Sequence, residues 1–248
     1  KDPMLEKYVT ADEYLSGNIR EKLKIAKEFA ENNPEYEINI KSLESVIPKD
    51  LSASEISVRL GATWIPPRYI EEFIFELLET PSYNRDDIRV NYSNYTSDWS
   101  ISGKNVDWNN SRVNTTYGTK RINAYHIIEK TLNLKDVQIF DNIINIDGKQ
   151  ERKLNAQETA IAQGKQEIIK TKFEEWIWKD RERREELTRL YNDKFNCIRP
   201  REYDGKYINF VGMNPEITLR KHQLNAVARQ LYGGNTLLAH EVRCRKNL

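Results

Sequence analysis

The spacing of apolar positions changes twice along the chain, and each change predicts a change of architecture. Over residues 10–80 apolar side chains recur every three or four positions, as in helices that bury one face. Thr10 with Glu13 makes a capping-box pattern, and Leu23, Ala26, Phe29 and Ala30 form a stripe that Asn32-Asn33-Pro34 interrupts. A second helix is expected over residues 34–46 and a short one from 51–56 to near Gly61. Pro66-Pro67 then opens another through Phe73, Leu77 and Leu78, which Pro81 ends.

From Arg85 to about Asn155 the period falls to two. Ile88, Val90 and Tyr92 alternate with polar residues, as do Trp99 and Ile101, then Val106 and Trp108, which predicts a small antiparallel sheet. A helix over 122–132 interrupts it, and residues 137–140 and 143–146, turning at Asp147-Gly148, supply further strands. The helical period then returns over 155–195. Ala162, Gln166, Ile169, Phe173 and Trp176 share one face, and Leu187, Leu190, Tyr191 and Phe195 repeat it after the charged run 179–186. Two consecutive helices and one bent helix fit this stretch equally well.

The last section carries the most distinctive pattern. Leu219-Arg220-Lys221-His222-Gln223-Leu224-Asn225-Ala226 leads into a helical run to Leu231, a Gly233-Gly234-Asn235 break and a strand-like segment, Thr236 to Val242. In nucleotide-driven motors such a strand feeds a glycine-rich loop ending in Lys-Thr. Here Arg243-Cys244-Arg245-Lys246-Asn247-Leu248 follows, with no glycine to let backbone N–H groups wrap a phosphate. Codons for Gly-Ala-Gly-Lys-Thr, shifted by one nucleotide, can spell Arg-Cys-Arg-Lys-Asn, so this tail is expected to be an out-of-frame P-loop. Lys246 is not assigned the phosphate-binding role.

Together the patterns predict an α+β fold. It is mainly helical, with a small antiparallel sheet in the middle and the first helix and strand of a RecA-like motor at the C-terminus. The expected regions are a helical 1–80, an α+β unit at 81–154, a long helix or helix pair at 155–200, and the start of a motor at 201–248. Lys1-Asp2-Pro3 reads as a cloning remnant or a cut inside a longer protein.

Composition narrows the chemistry. With 39 basic and 38 acidic residues in 248, the net charge is +1, so a nucleic-acid site must be a local patch. No apolar run approaches the roughly 20 residues that span a bilayer, and no signal segment is visible. Cys197 and Cys244 lack ligand-spaced partners, which argues against a zinc site or a disulfide framework and for a reducing cytoplasm. HExxH, GxSxG and the Asp-Pro-Pro-Tyr tetrad of adenine methyltransferases are absent. The histidines His126, His222 and His240 are scattered, with His126 read as structural, so no catalytic residue and no metal ligand is assigned.

Nucleic acid has one candidate surface in the middle section. Arg89, Tyr92, Trp99, Lys104, Trp108, Lys120 and Arg121 mix rings that could stack on bases with cations that could meet phosphates. Aromatic residues in a small sheet also commonly form its core.

Several blocks resemble the very large Swi/Snf-like, superfamily-two helicase proteins of conjugative elements and phages of Gram-positive bacteria, often fused to an adenine-specific DNA methylase. The longest are Glu13-Tyr14-Leu15-Ser16-Gly17-Asn18-Ile19-Arg20-Glu21-Lys22-Leu23, and Pro48 to Ile56 with Arg59-Leu60-Gly61-Ala62-Thr63-Trp64-Ile65. Shorter matches are Tyr117-Gly118-Thr119, Lys165-Gln166, Tyr191-Asn192, Phe195-Asn196, Arg201-Glu202-Tyr203-Asp204-Gly205, and His222-Gln223 before Leu237-Leu238-Ala239-His240. The resemblance implies a parent that uses ATP and Mg to move on DNA, with helicase and methylase domains in cis as partners and no membrane. It also implies an incomplete adenine site at Arg220, His222 and Gln223, where the glutamine would read the adenine edge. This chain is then expected to lack ATP hydrolysis and to need no cofactor of its own. Its role would be to position DNA beside the motor or, alternatively, to dock the methylase on it without touching DNA.

Overall fold

The computed structural model describes residues 1–144, 150–214 and 216–239. In chain order these form α1 (Ala11–Tyr14), β1 (Gly17–Asn18), α2 (Ile19–Ala30), α3 (Glu37–Glu44), α4 (Pro67–Leu78), α5 (Ser82–Arg85), β2 (Val90–Ser93) and β3 (Asp98–Ile101). There follow α6 (Ala124–Leu132), β4 (Phe140–Ile144), β5 (Gln150–Leu154), α7 (Ala156–Ile177), α8 (Arg181–Phe195), β6 (Ile198–Arg199) and α9 (Lys221–Gly233). The fold is α+β, dominated by helix, with the described strands in antiparallel pairs β1–β6, β2–β3 and β4–β5. Contacts divide the chain into two units, residues 1–50 with 193–248 and residues 51–192. The division differs from the four consecutive regions expected from sequence, because β1 pairs with the distant β6, Gly17 opposite Arg199 and Asn18 opposite Ile198. Two-residue strands leave no periodic signal.

The unit of residues 51–192 has the larger core. Ile70, Phe73, Ile74 and Leu78 of α4, Tyr125, Ile127 and Ile128 of α6, and Ile169, Phe173 and Ile177 of α7 are all buried. Phe73 meets Phe173 edge-on with ring centroids 5.0 Å apart. The α7 stripe is the one its spacing predicts, and the helical stretch proves to be two helices, broken between Ile177 and Arg181. Gln166 sits on that stripe, 2 % exposed, and makes a two-pronged bracket. Its carbonyl accepts from the Val137 N–H at 3.2 Å, and its amide donates to the Lys135 carbonyl at 2.9 Å. One side chain thereby does for the 135–137 backbone what a neighbouring strand would do.

Two expected elements are replaced by other structure. No helix forms over 51–56. Glu55 accepts from both the Ser52 N–H and hydroxyl, which closes a single turn, and the chain then runs extended with Ile56, Val58 and Leu60 buried in alternation. Val106 and Trp108 are not in a strand either. Gly103, at φ +67°, turns the chain after β3, so close to the Asp87 carbonyl that a Cβ would stand 2.3 Å from its oxygen. The turn that follows buries Asp107 and leaves Trp108 74 % exposed. Asp147-Gly148 and Ile146 lie outside the described residues.

The other unit has a small core of Tyr14, Ile19, Ala26 and Leu43, with Leu23 and Ile40 packed against it. Asn18 caps α2 by accepting from the Glu21 N–H at 3.1 Å, and the Ile19 N–H donates to the Cys197 carbonyl at 2.9 Å. Thr10 occupies the N-cap position of α1 without a side-chain cap bond. At the far end, Thr236–Ala239 are in no strand, and the rest of the strand expected over 236–242, His240 to Val242, lies outside the described residues, as does the 243–248 tail.

The Gln166 bracket should matter to stability more than its location on a helix suggests. Gln166→Leu keeps the volume but orphans two backbone groups, one of them deeply buried. Urea unfolding of the variant should show a loss of about 2–3 kcal/mol. A change below about 0.5 kcal/mol, the scatter of ordinary surface substitutions, would show the bracket to be dispensable.

Candidate nucleic-acid interface

The β2–β3 hairpin fixes the fate of four residues at once. Its register sets Val90 opposite Ile101 and Tyr92 opposite Trp99, so these four share one face. Val90, Trp99 and Ile101 are buried, and Tyr92 is half-buried with its ring 4.9 Å from that of Trp99. The Trp99 indole N–H donates to the Gly61 carbonyl at 3.3 Å. Trp99 is therefore a core residue and not a stacking platform, which corrects its place among the candidates.

Both edges of this two-stranded ribbon are closed by helix side chains. Glu71 of α4 accepts from the Val90 N–H at 2.7 Å. On β3, Asn133 exchanges two 2.8 Å bonds with the backbone of Trp99, and Glu129 of α6 accepts from the Ile101 N–H at 2.9 Å. Glu129 also pairs with Lys104 at 2.5 Å, with both side chains largely shielded. Burial raises the Glu129 pKa, but the Lys104 and Ile101 donors outweigh it and hold the carboxyl below its ordinary value. Lys104 is thus committed to the fold.

The remaining cations divide in the same way. Arg89 is exposed but bonded to the Arg85 and Ile88 carbonyls, with Asp86 at 3.6 Å. Arg121 pairs with Asp141 at 2.8 Å and donates to the Phe140 carbonyl at 2.9 Å. Lys120 is exposed and has no hydrogen bond or ion pair among the described residues. Trp108, Tyr95 and Tyr83 are 74 %, 98 % and 78 % exposed. Asn84 donates to Asp107 at 3.3 Å, which ties the segment carrying Tyr83 to that carrying Trp108. Of the seven candidates, Trp108 and Lys120 are both exposed and uncommitted.

His126, read from sequence as structural, stands at a polar pocket of about 480 Å³ with Asn105, Lys120, Arg121 and Gln138. The signal for it in the sequence was Asn123, the N-cap of α6. The Asn123 amide donates to the Lys104 carbonyl at 2.9 Å, which fixes its oxygen toward His126. That oxygen meets both the His126 backbone N–H at 3.1 Å and ring Nδ1 at 2.7 Å. Nδ1 is then the donor, and Nε2 carries the lone pair of the neutral ring. Burial and then Lys104 push the His126 pKa below 6.5.

In the other unit, a groove of about 670 Å³ runs beside α9, lined by Lys221, His222, Asn225 and Arg229 of that helix. Arg201 also lines it, paired with Asp12 at 2.8 Å. Gly205 lets its segment reach α9: a Cβ there would stand 2.1 Å from the Leu224 carbonyl oxygen, and its N–H donates to Asn225 at 3.1 Å. Of the three adenine candidates only His222 faces the groove. The Gln223 oxygen accepts from the Arg220 N–H at 2.8 Å and caps the helix. An adenine edge needs a free donor and a free acceptor together, so this arrangement does not fit an adenine clamp.

What the geometry defines is an α+β scaffold in which the described residues gather no group of three His, Cys, Asp or Glu placed for a metal. No described helix is long and apolar enough to cross a membrane. A family model described as a domain of unknown function (DUF8437) matches residues 59–197, more than half of the chain, and the chain belongs to that family. No curated protein and no solved structure matches it.

The pKa directions give a pH signature. The folded pKa of His126 is depressed, so it adds stability above pH 6.5 that is lost as pH falls through the folded value. Glu129, depressed below 4.5, does the same in a second, more acidic window. Stability against urea should fall in two steps on acidification, and His126→Gln should remove the first alone. A flat profile between pH 7 and 5 would contradict the His126 assignment.

Proposed function

We propose that this chain is an accessory, DNA-positioning region of an ATP-dependent DNA helicase or translocase of the methylase-linked kind, working in a reducing cytoplasm. The sequence resemblance supplies the parent activity, and one structural observation supports the local role. Trp108 is left 74 % exposed on a turn that Asn84 ties to α5, the helix bearing Tyr83. Large rings are normally covered, and an exposed set of them is a standard feature of surfaces that stack on unpaired bases. The near-zero net charge confines any phosphate contact to a few uncommitted cations such as Lys120. ATP chemistry would belong to the rest of the parent, since the described residues offer no adenine clamp.

A second reading has its own observation. Near α9, Leu231, Tyr232 and Leu237 are 61 %, 62 % and 87 % exposed, and Tyr207 and Val211 are each 92 % exposed. Apolar surface of this kind favours a module that docks a methylase domain onto the motor without touching DNA.

Fluorescence anisotropy with labelled single-stranded and duplex DNA separates the two. The DNA reading expects salt-sensitive binding, a loss of about tenfold for Trp108→Ala, and a salt slope reduced by about one for Lys120→Ala. Absence of any salt-sensitive association would leave the docking reading in its place.

A further inference from the structure

We infer that the pocket at His126 is a phosphate-binding site whose occupation takes up a proton. The ligand chemistry is a phosphate group, and this inference rests on the DNA reading only for its proposed source, a nucleic-acid backbone.

Three features of the pocket carry it. No carboxylate lines the cavity, whereas Lys120 and Arg121 do, so an anion entering it meets net positive charge. Lys120 is exposed and uncommitted, and Gln138 offers an amide with no partner among the described residues. Asn105 directs its carbonyl toward the Asn123 amide at 3.5 Å, which turns its own N–H groups away from Asn123 and leaves them to donate. At about 480 Å³ the pocket has room for a phosphate and its water.

The fourth wall is the imidazole. With Nδ1–H held on Asn123, only Nε2 can change state, and in the neutral ring it is an acceptor that a phosphate oxygen would repel. A phosphate therefore favours the imidazolium, in which Nε2–H donates. The charged groups acting on the ring are Lys104 and Lys130, which disfavour that proton, and Glu129, which favours it but is already paired with Lys104. Arg121 is likewise tied to Asp141. The proton comes from solvent, so binding must strengthen as pH falls.

The test is an NMR titration of the His126 ring in the full chain, its resonances assigned with His126→Gln, in three buffers matched for ionic strength: chloride, inorganic phosphate and a short DNA duplex. Phosphate should raise the His126 pKa by about one unit relative to chloride, which means about tenfold tighter binding to the protonated ring. Lys120→Ala, an exposed substitution, should abolish most of that rise. A rise with both phosphate and duplex supports the site and its DNA source. A rise with inorganic phosphate alone supports a small-phosphate site and overturns the backbone source. No rise with either ligand overturns the site, even where anisotropy shows DNA bound through Trp108, so the two proposals fail separately.

Discussion

The residue 51–192 unit depends on one constraint: its ribbons are too narrow to satisfy their own backbone. A two-stranded sheet leaves an edge on each strand, and buried N–H and C=O groups without partners are costly. The helices meet that demand with side chains. Glu71, Glu129 and Asn133 close the β2–β3 hairpin, while Gln166 and Thr159 of α7 hold the 135–139 backbone, Thr159 accepting from the Ile139 N–H at 3.0 Å. Asn192 repeats the Gln166 device, exchanging bonds of 2.8 and 2.9 Å with the backbone of Leu51. Polar residues on the inner faces of helices are thus stitches in place of strands.

This arrangement explains how polar residues on an apolar stripe can be structural. Gln166 and Asn192 are both buried on inner helix faces, and Gly205 lies against α9. In each case the structure gives a backbone reason: a bracket, a second bracket and a close helix approach. These three residues serve the scaffold, and chemistry is left to the side chains that stay uncommitted once the stitches are made.

How much was legible follows from the same distinction. The α4, α6 and α7 stripes were readable because burial of one helix face imposes a period of 3.6, and β2 and β3 because Val90, Tyr92, Trp99 and Ile101 alternate. The 51–56 segment misled because Ser52 and Glu55 form a cap whether or not a helix continues. Trp99 and Trp108 are nine positions apart with similar surroundings in sequence, yet one is core and the other exposed. The difference lies in the Gly103 turn, whose backbone angle periodicity does not register. The β1–β6 pair and the His126 pocket both rest on contacts between distant segments.

The distribution of charge then follows from folding before function. Lys104 neutralises Glu129, whose other oxygen is engaged with the Ile101 N–H, so this ion pair is a by-product of closing a strand edge. Arg121 is drawn to Asp141 and the Phe140 carbonyl at the start of β4. With these cations occupied, the pocket between them keeps Lys120 and a ring whose free nitrogen is fixed by an amide that is itself fixed by the Lys104 carbonyl. The state of His126 is therefore set by the scaffold, and a proton added at Nε2 works against Lys104 and Lys130.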